Sequence, residues 1–147
     1  MKRYFDTNIL LILLTLIVLF ASCNKSDSDA NLPIVTLTEV GHNNSKCAHP
    51  GHDMHLEADI IAEAGISRIK VELRQEDGID FQIKLLFTDG KYIGVRNTEF
   101  HEHIDIPADA PLGNYSLHFT VTDNNGLQTK VECGIEVTEY DDNEEKN

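Results

Sequence analysis

The sequence predicts an all-β domain, a sandwich of about seven short strands. Three observations predict it. Apolar and polar residues alternate with a period of two in one segment after another. Turn-forming pairs separate those segments: Ala64-Gly65, Asp77-Gly78, Asp89-Gly90 and Asn125-Gly126. Beyond the N-terminal apolar run, no stretch keeps a helical period over two turns.

Each element follows from its pattern. "PIVTLTEV" (33–40) alternates. "MHLEADIIA" (54–62) sets Met54, Leu56, Ala58 and Ile60 on one face and His55, Glu57 and Asp59 on the other. Ala64-Gly65 turns the chain into "ISRIKVEL" (66–73), where Ile69, Val71 and Leu73 share a face. "IDFQIKLLF" (79–87) comes after Asp77-Gly78, "EFHEHIDI" (99–106) after Asp89-Gly90, and Pro107 to Gly113 form a connection. "NYSLHFTVTD" (114–123) aligns Tyr115, Leu117, Phe119 and Val121. Asn125-Gly126 then signals a hairpin into "LQTKVECGIEV" (127–137). Cys133 has the parity of Val131, Ile135 and Val137 and is expected to point inward as a thiol. Cys47 lies in a hydrophilic loop, so pairing the two would need that loop to dip into the core.

"GNYSLHFTVTDNNG" (113–126) resembles the penultimate strand and last hairpin of bacterial immunoglobulin-like and cadherin-like domains. Tyr115 stands where such domains place the tyrosine of the tyrosine corner. The chain has no Trp, so the antibody-type Cys…Trp…Cys core is absent and another immunoglobulin-like branch is implied.

The ends define the rest of the layout. Lys2 and Arg3 precede "ILLILLTLIVLF" (9–20), an apolar run of signal-peptide length that is too short to span a bilayer. "LFASC" then looks like a lipobox, with Phe20 in place of the usual leucine and Cys23 as the lipidated residue. The expected organisation is a signal peptide (1–22), a lipidated cysteine with a flexible acidic tether (23–31), an immunoglobulin-like sandwich (32–140) and a disordered acidic tail (141–147). The acidic run after Cys23 resembles a surface-export signal of Gram-negative lipoproteins, and Asn24 does not match the inner-membrane retention signal of enteric lipoproteins. The expected location is the outer membrane, facing either the periplasm or the surface.

Charge narrows the partners. Removing Lys2, Arg3 and Asp6 from the chain's 12 basic and 25 acidic residues leaves 10 and 24, a net charge of −14. That argues against nucleic acid and against anionic lipid head groups as partners, and gives a weak long-range bias toward cations.

Five of the seven histidines fall into two clusters. In "CAHPGHDMH" (47–55), Pro50 and Gly51 occupy the central places of a type II turn, which brings the Cα atoms of His49 and His52 within about 7 Å. His55 opens the next strand and faces outward. In "FHEHIDI" (100–106), His101, His103 and Asp105 share the outer face, while Glu102 has core parity. In an immunoglobulin-like sandwich the second and fifth of the predicted strands are antiparallel neighbours, which sets His55 near His103 and Asp105. The candidate metal ligands are His49, His52, His55, His101 and His103. Asp53, Glu57 and Asp105 are candidate oxygen ligands or partners for the imidazole N–H groups. Imidazoles favour zinc first and copper second; Met54 has core parity, and Cys47 offers a thiolate. The competing readings are scattered surface histidines and a pH-sensitive contact. His118 reads as ordinary surface, and His42 as a loop residue.

"HPGHDMHLEADIIAEAGISRIKVEL" (49–73), "FHEHIDIPADAPLGNYSLHFTVTDNNGLQTKVECGIEV" (100–137) and the leader together resemble a domain-of-unknown-function family of Gram-negative envelope lipoproteins. The resemblance implies an immunoglobulin-like domain and a shared use for His55, His101 and His103. It implies no activity. Three function classes follow. The first captures, buffers or transfers a transition metal. The second is an adhesion or accessory module for an envelope protein or a glycan, with only Tyr92 and Tyr140 placed for sugar stacking. The third, an enzyme, is not expected: the chain has no nucleophile–base pairing and no phosphate loop, although Glu57 or Glu102 could act as a base beside zinc.

Overall fold

Strands with one apolar face must bury it against another such face, and two sheets do so here. The structure, a computed structural model, describes residues 31–140 except Asp77 and Ile79. The expected signal peptide, the expected lipidated Cys23 and tether up to Ala30, and the expected tail from residue 141 lie outside the described residues. Among the described residues no helix is long and apolar enough to cross a membrane.

Eight strands form: β1 (Ile34–Val40), β2 (Cys47–Ala48), β3 (Asp53–Ile61), β4 (Ile66–Gln75), β5 (Gln82–Phe87), β6 (Asn97–Asp105), β7 (Gly113–Asp123) and β8 (Gln128–Val137). Seven match the predicted segments. The eighth, β2, is two residues long and runs parallel to the end of β8. It has too few residues for any alternation to show. The sheets are ordered β1-β3-β6 and β2-β8-β7-β4-β5. The first, second and fifth predicted strands thus form one sheet and the remaining four lie in the other, as in immunoglobulin-like sandwiches.

The core lies between the inner faces. Phe100 from one sheet meets Phe119 from the other edge-to-face, with ring centroids 5.0 Å apart. Met54, Leu56, Ile60, Ile69, Leu73 and Leu117 surround them, fully buried. Each such side chain contributes roughly 1.5–3 kcal/mol by leaving water. Every member of this core falls between Val35 and Val137. The tyrosine corner forms as its position predicts: Tyr115 is buried and its hydroxyl donates to the Pro111 carbonyl at 2.7 Å. The last hairpin turns through Asn124, Asn125 and Gly126, with Gly126 at φ 82°. Asp123 caps the turn by accepting from the backbone N–H groups of Asn125 and Leu127.

One irregularity bears on the site. The register of β1 against β3 shifts between Leu37 and Glu39. Leu37 pairs with Ala58 on the inner face, Thr38 is the extra residue, and Glu39 pairs with Glu57 on the outer face. A bulge of this kind re-aims the side chains that follow it.

Cys47 and Cys133 are free thiols. Cys47 is in register with Glu136, three residues along β8 from Cys133. That is roughly 10 Å of strand, beyond disulfide reach.

Candidate metal centre

The outer face of the β1-β3-β6 sheet carries the histidines. Antiparallel pairing puts residues directly opposite each other on one face, and His55 pairs with His103 while Glu57 pairs with His101. Three imidazoles therefore converge from two adjacent strands. The ring centroids of His55 lie 4.5 Å from those of His101 and 5.0 Å from those of His103, and the His101–His103 distance is 5.7 Å. One ring nitrogen of each lies within 4.8 Å of one from each of the others.

Carboxylates hold these rings. His55 Nδ1 is 3.2 Å from Glu39 Oε1, His101 Nδ1 is 2.9 Å from Glu57 Oε1, and His103 Nδ1 meets Asp53 Oδ2. Each ring thus has its own acidic partner at Nδ1. A carboxylate accepting from Nδ1–H leaves Nε2 as the free ligand atom, the arrangement that orients histidines in metal sites. Between His55 and His101 the two Nε2 atoms are 3.1 Å apart. In the tautomer that gives each Nδ1 proton to its carboxylate, both Nε2 atoms are acceptors, placed to share one cation. Two ligands of one tetrahedral zinc at 2.0–2.1 Å are about 3.3 Å apart, close to the spacing seen. Glu57 Oε1 also lies 3.3 Å from His55 Nε2, so it reaches both rings.

The carboxylates respond to these contacts. The hydrogen bond from His103 holds the Asp53 carboxyl below its usual range. At Glu39, desolvation pushes upward, but His55 and the backbone N–H groups of Asn43 and Asn44 outweigh it and leave the group lowered.

The rest of this face is acidic. Glu39 is opposite Glu57, Asp59 opposite Glu99, and Asp53 opposite Asp105. The three strands contain no Lys or Arg. Like charges directly opposite each other destabilise a sheet, and a bound cation would relieve them. Glu39–His55–Glu57 and Glu57–Glu99–His101 also bring one ligand atom each within 4.8 Å of one another.

His49 and His52 stand apart. Their turn forms: the His52 N–H donates to the His49 carbonyl at 3.1 Å, with Gly51 at φ 79°. Gly51 and His52 then exchange backbone bonds with Ile106, just past β6. The rings, however, serve the C-terminal end of the domain. His52 stacks on Tyr140 at 4.2 Å, and His49 Nδ1 is 3.0 Å from the Thr138 carbonyl oxygen. Neither joins a cluster of three ligand atoms among the described residues, and neither does Cys47 or Asp105. His118 lies on the other sheet, 3.0 Å from Glu132.

Two residues read differently in the structure. Tyr92, a candidate for sugar stacking, is buried instead. Its hydroxyl donates to the His101 carbonyl at 2.7 Å and accepts from the His101 N–H at 3.1 Å, closing the free edge of β6. The same hydroxyl is 2.7 Å from Glu102, which Lys91 also pairs at 3.0 Å. This explains how Glu102 is accommodated at core parity. The residues that sequence reasoning missed are Glu39 and Glu99. The signal for Glu39 was present: after Leu37, the next inward apolar residue is Val40, a spacing of three where a regular strand gives two.

A family described as a domain of unknown function, DUF4625, matches residues 21–138. The chain belongs to this family. The DUF4625 match spans every strand of the sandwich, including all three converging histidines and the bulge that carries Glu39. No curated protein shows significant similarity to this DUF4625 chain.

Proposed function

We propose that this domain binds a transition metal through His55, His101 and His103, to capture, buffer or transfer it at the cell envelope. Zinc is the first choice and copper the second, because imidazole nitrogens suit both. The observation that carries the reading is the convergence of three imidazoles, one ring nitrogen of each within 4.8 Å of the others, each with its own carboxylate at Nδ1. The acidic face around them, free of Lys and Arg, supports a cation there. In this reading lipidation at Cys23 anchors the domain to the outer membrane, the tether presents it, and an envelope protein supplies or receives the ion. The role is binding and not catalysis. His101 and His103 are open to solvent, which suits exchange of an ion better than a water-excluding active site.

A second reading, an accessory module for a protein partner, has one observation in its favour. Ile34 and Ile61 pair on this same outer face, 59% and 46% exposed. Burial of Tyr92 leaves Tyr140 as the one candidate for stacking on a glycan.

The test is calorimetric titration of residues 24–147, prepared without a histidine tag, with Zn(II), Cu(II) and Cu(I). One equivalent bound at micromolar or better affinity, lost in His55→Ala/His103→Ala, is the expected result. Weak binding, or binding the double variant retains, sinks the metal reading.

A further inference from the structure

The Gly41–Lys46 loop is unusual for so short a segment. Asn43, Asn44 and Lys46 all have left-handed backbone angles, with φ of 55°, 57° and 59°. Asparagine tolerates this region, but lysine there costs on the order of 1 kcal/mol. Gly41 is also constrained: at φ 71°, an added Cβ would lie 2.7 Å from the Cys47 carbonyl oxygen and 2.7 Å from Ser45 Oγ. Strain of this kind persists where the surroundings fix it, and it clusters at functional sites.

The strained loop closes on the end of β1, next to Glu39. The Asn44 N–H donates to the Gly41 carbonyl at 3.0 Å, which closes the loop on itself. Asn44 Oδ1 accepts from the Val40 N–H at 3.2 Å, and the Lys46 N–H donates to the Val40 carbonyl at 2.8 Å, which folds the loop back onto the end of β1. The Gly41 N–H donates to the His55 carbonyl at 2.8 Å, so the loop also grips the strand that bears His55. At its other side, the β1 bulge turns Glu39 outward; without the extra residue Thr38 it would face the core. The bulge on one side and the loop on the other thus flank Glu39, whose carboxylate lies 3.2 Å from His55 Nδ1.

We infer that Glu39 is the positioning residue of the site, aimed at His55 by the bulge, while the Gly41–Lys46 loop fastens the end of β1 to the His55 strand. Glu39 fixes His55 with its proton on Nδ1 and its Nε2 turned toward His101. The three histidines are thereby unequal. His55 is largely covered and held from two sides, whereas the His103–Asp53 pair has both side chains more than half exposed. His55 anchors the ion, and His103 is the ligand that lets it leave.

This inference rests on the metal reading for its effect on affinity but not for its effect on His55. The test therefore has two readouts on residues 24–147, which keep the whole core. The first is the His55 tautomer in the metal-free protein, from long-range nitrogen–proton NMR of the imidazoles. The second is the Zn(II) affinity. Glu39→Ala should release the Nδ1–H preference of His55 and weaken zinc binding by about 10–100-fold. Glu39→Gln, which keeps an acceptor oxygen, should retain the tautomer and lose less affinity. His103→Ala should lose less affinity than Glu39→Ala loses together with His55→Ala, and should release zinc faster than the wild type.

An unaltered His55 tautomer in Glu39→Ala overturns the inference. So does an altered tautomer with zinc affinity within twofold of the wild type. If the wild type takes up no zinc, the metal reading fails, and the tautomer alone still decides whether Glu39 holds His55.

Discussion

The two sheets of the sandwich solve the same problem in opposite ways. Across the outer face of the five-stranded sheet runs a row of directly opposed side chains, Lys84, Glu72, His118 and Glu132. Acid and base alternate along it. Glu72, at its centre, accepts from Lys70 at 2.8 Å and Arg74 at 3.0 Å, and the Lys70 ammonium, with Arg74, holds its carboxyl down at about 2 against the effect of burial. The three-stranded sheet has no such cations. Its rows set acid against acid, with histidines as the one group able to bridge them. A face that neutralises itself is finished as a surface. In the proposed reading, a face left with opposed carboxylates and three converging imidazoles is completed by a cation from outside.

The comparison can be broken from either side. The largest effect belongs to the histidines. His55→Ala/His101→Ala removes both nitrogens of the closest pair and should weaken zinc binding at least about 100-fold, read by competition with a chromogenic chelator. Zinc at 100 times its dissociation constant should add about 2.7 kcal/mol of stability to the wild type and none to this variant, seen as a shift in thermal unfolding. Next comes the self-neutralised face. Glu72 has a folded pKa below its ordinary 4.5, so its contribution is complete above pH 4.5 and is lost as pH falls toward about 2. Glu72→Gln should cost roughly 1–2 kcal/mol at pH 7, discounted because Lys70 and Arg74 are partly exposed, and little at pH 2. Urea unfolding at the two pH values checks this; an equal loss at both contradicts the ion-pair account.

Smaller effects sharpen the contrast. Asp59→Lys would set a cation opposite Glu99 and make the acidic face resemble the other one. It should stabilise the metal-free domain by about 0.2–1 kcal/mol and weaken metal binding severalfold. A destabilised variant would mean the opposed carboxylates are not the liability they are taken to be. The smallest effect is expected from His49→Ala/His52→Ala, which should leave zinc affinity within about twofold. A larger loss would bring the Pro50-Gly51 turn back into the site.

Much of this was legible because a period of two fixes facing. Once "MHLEADIIA" and "FHEHIDI" were read as neighbouring strands, His55, His101 and His103 had to share the outer face. Tyr115 was legible for the same reason, since its corner needs only a strand start and a carbonyl upstream. Three things do not follow from a regular period of two. Glu39 sits beyond a bulge, and one extra residue flips every side chain after it. His49 and His52 lie in the predicted turn, but a turn sets the spacing of its ends and leaves open which way the rings point. Tyr140, 88 residues on from His52, decides that. Tyr92 reads as a loop tyrosine locally, and only the free edge of β6 explains its burial.

The most direct measurement is the zinc K-edge X-ray absorption spectrum of residues 24–147 loaded with one equivalent of Zn(II). The account predicts three imidazole nitrogens at 2.0–2.1 Å with one oxygen completing the shell, and an unchanged spectrum in His49→Ala/His52→Ala. A shell of oxygens with at most one imidazole, or a spectrum that changes when His49 and His52 are removed, would contradict it.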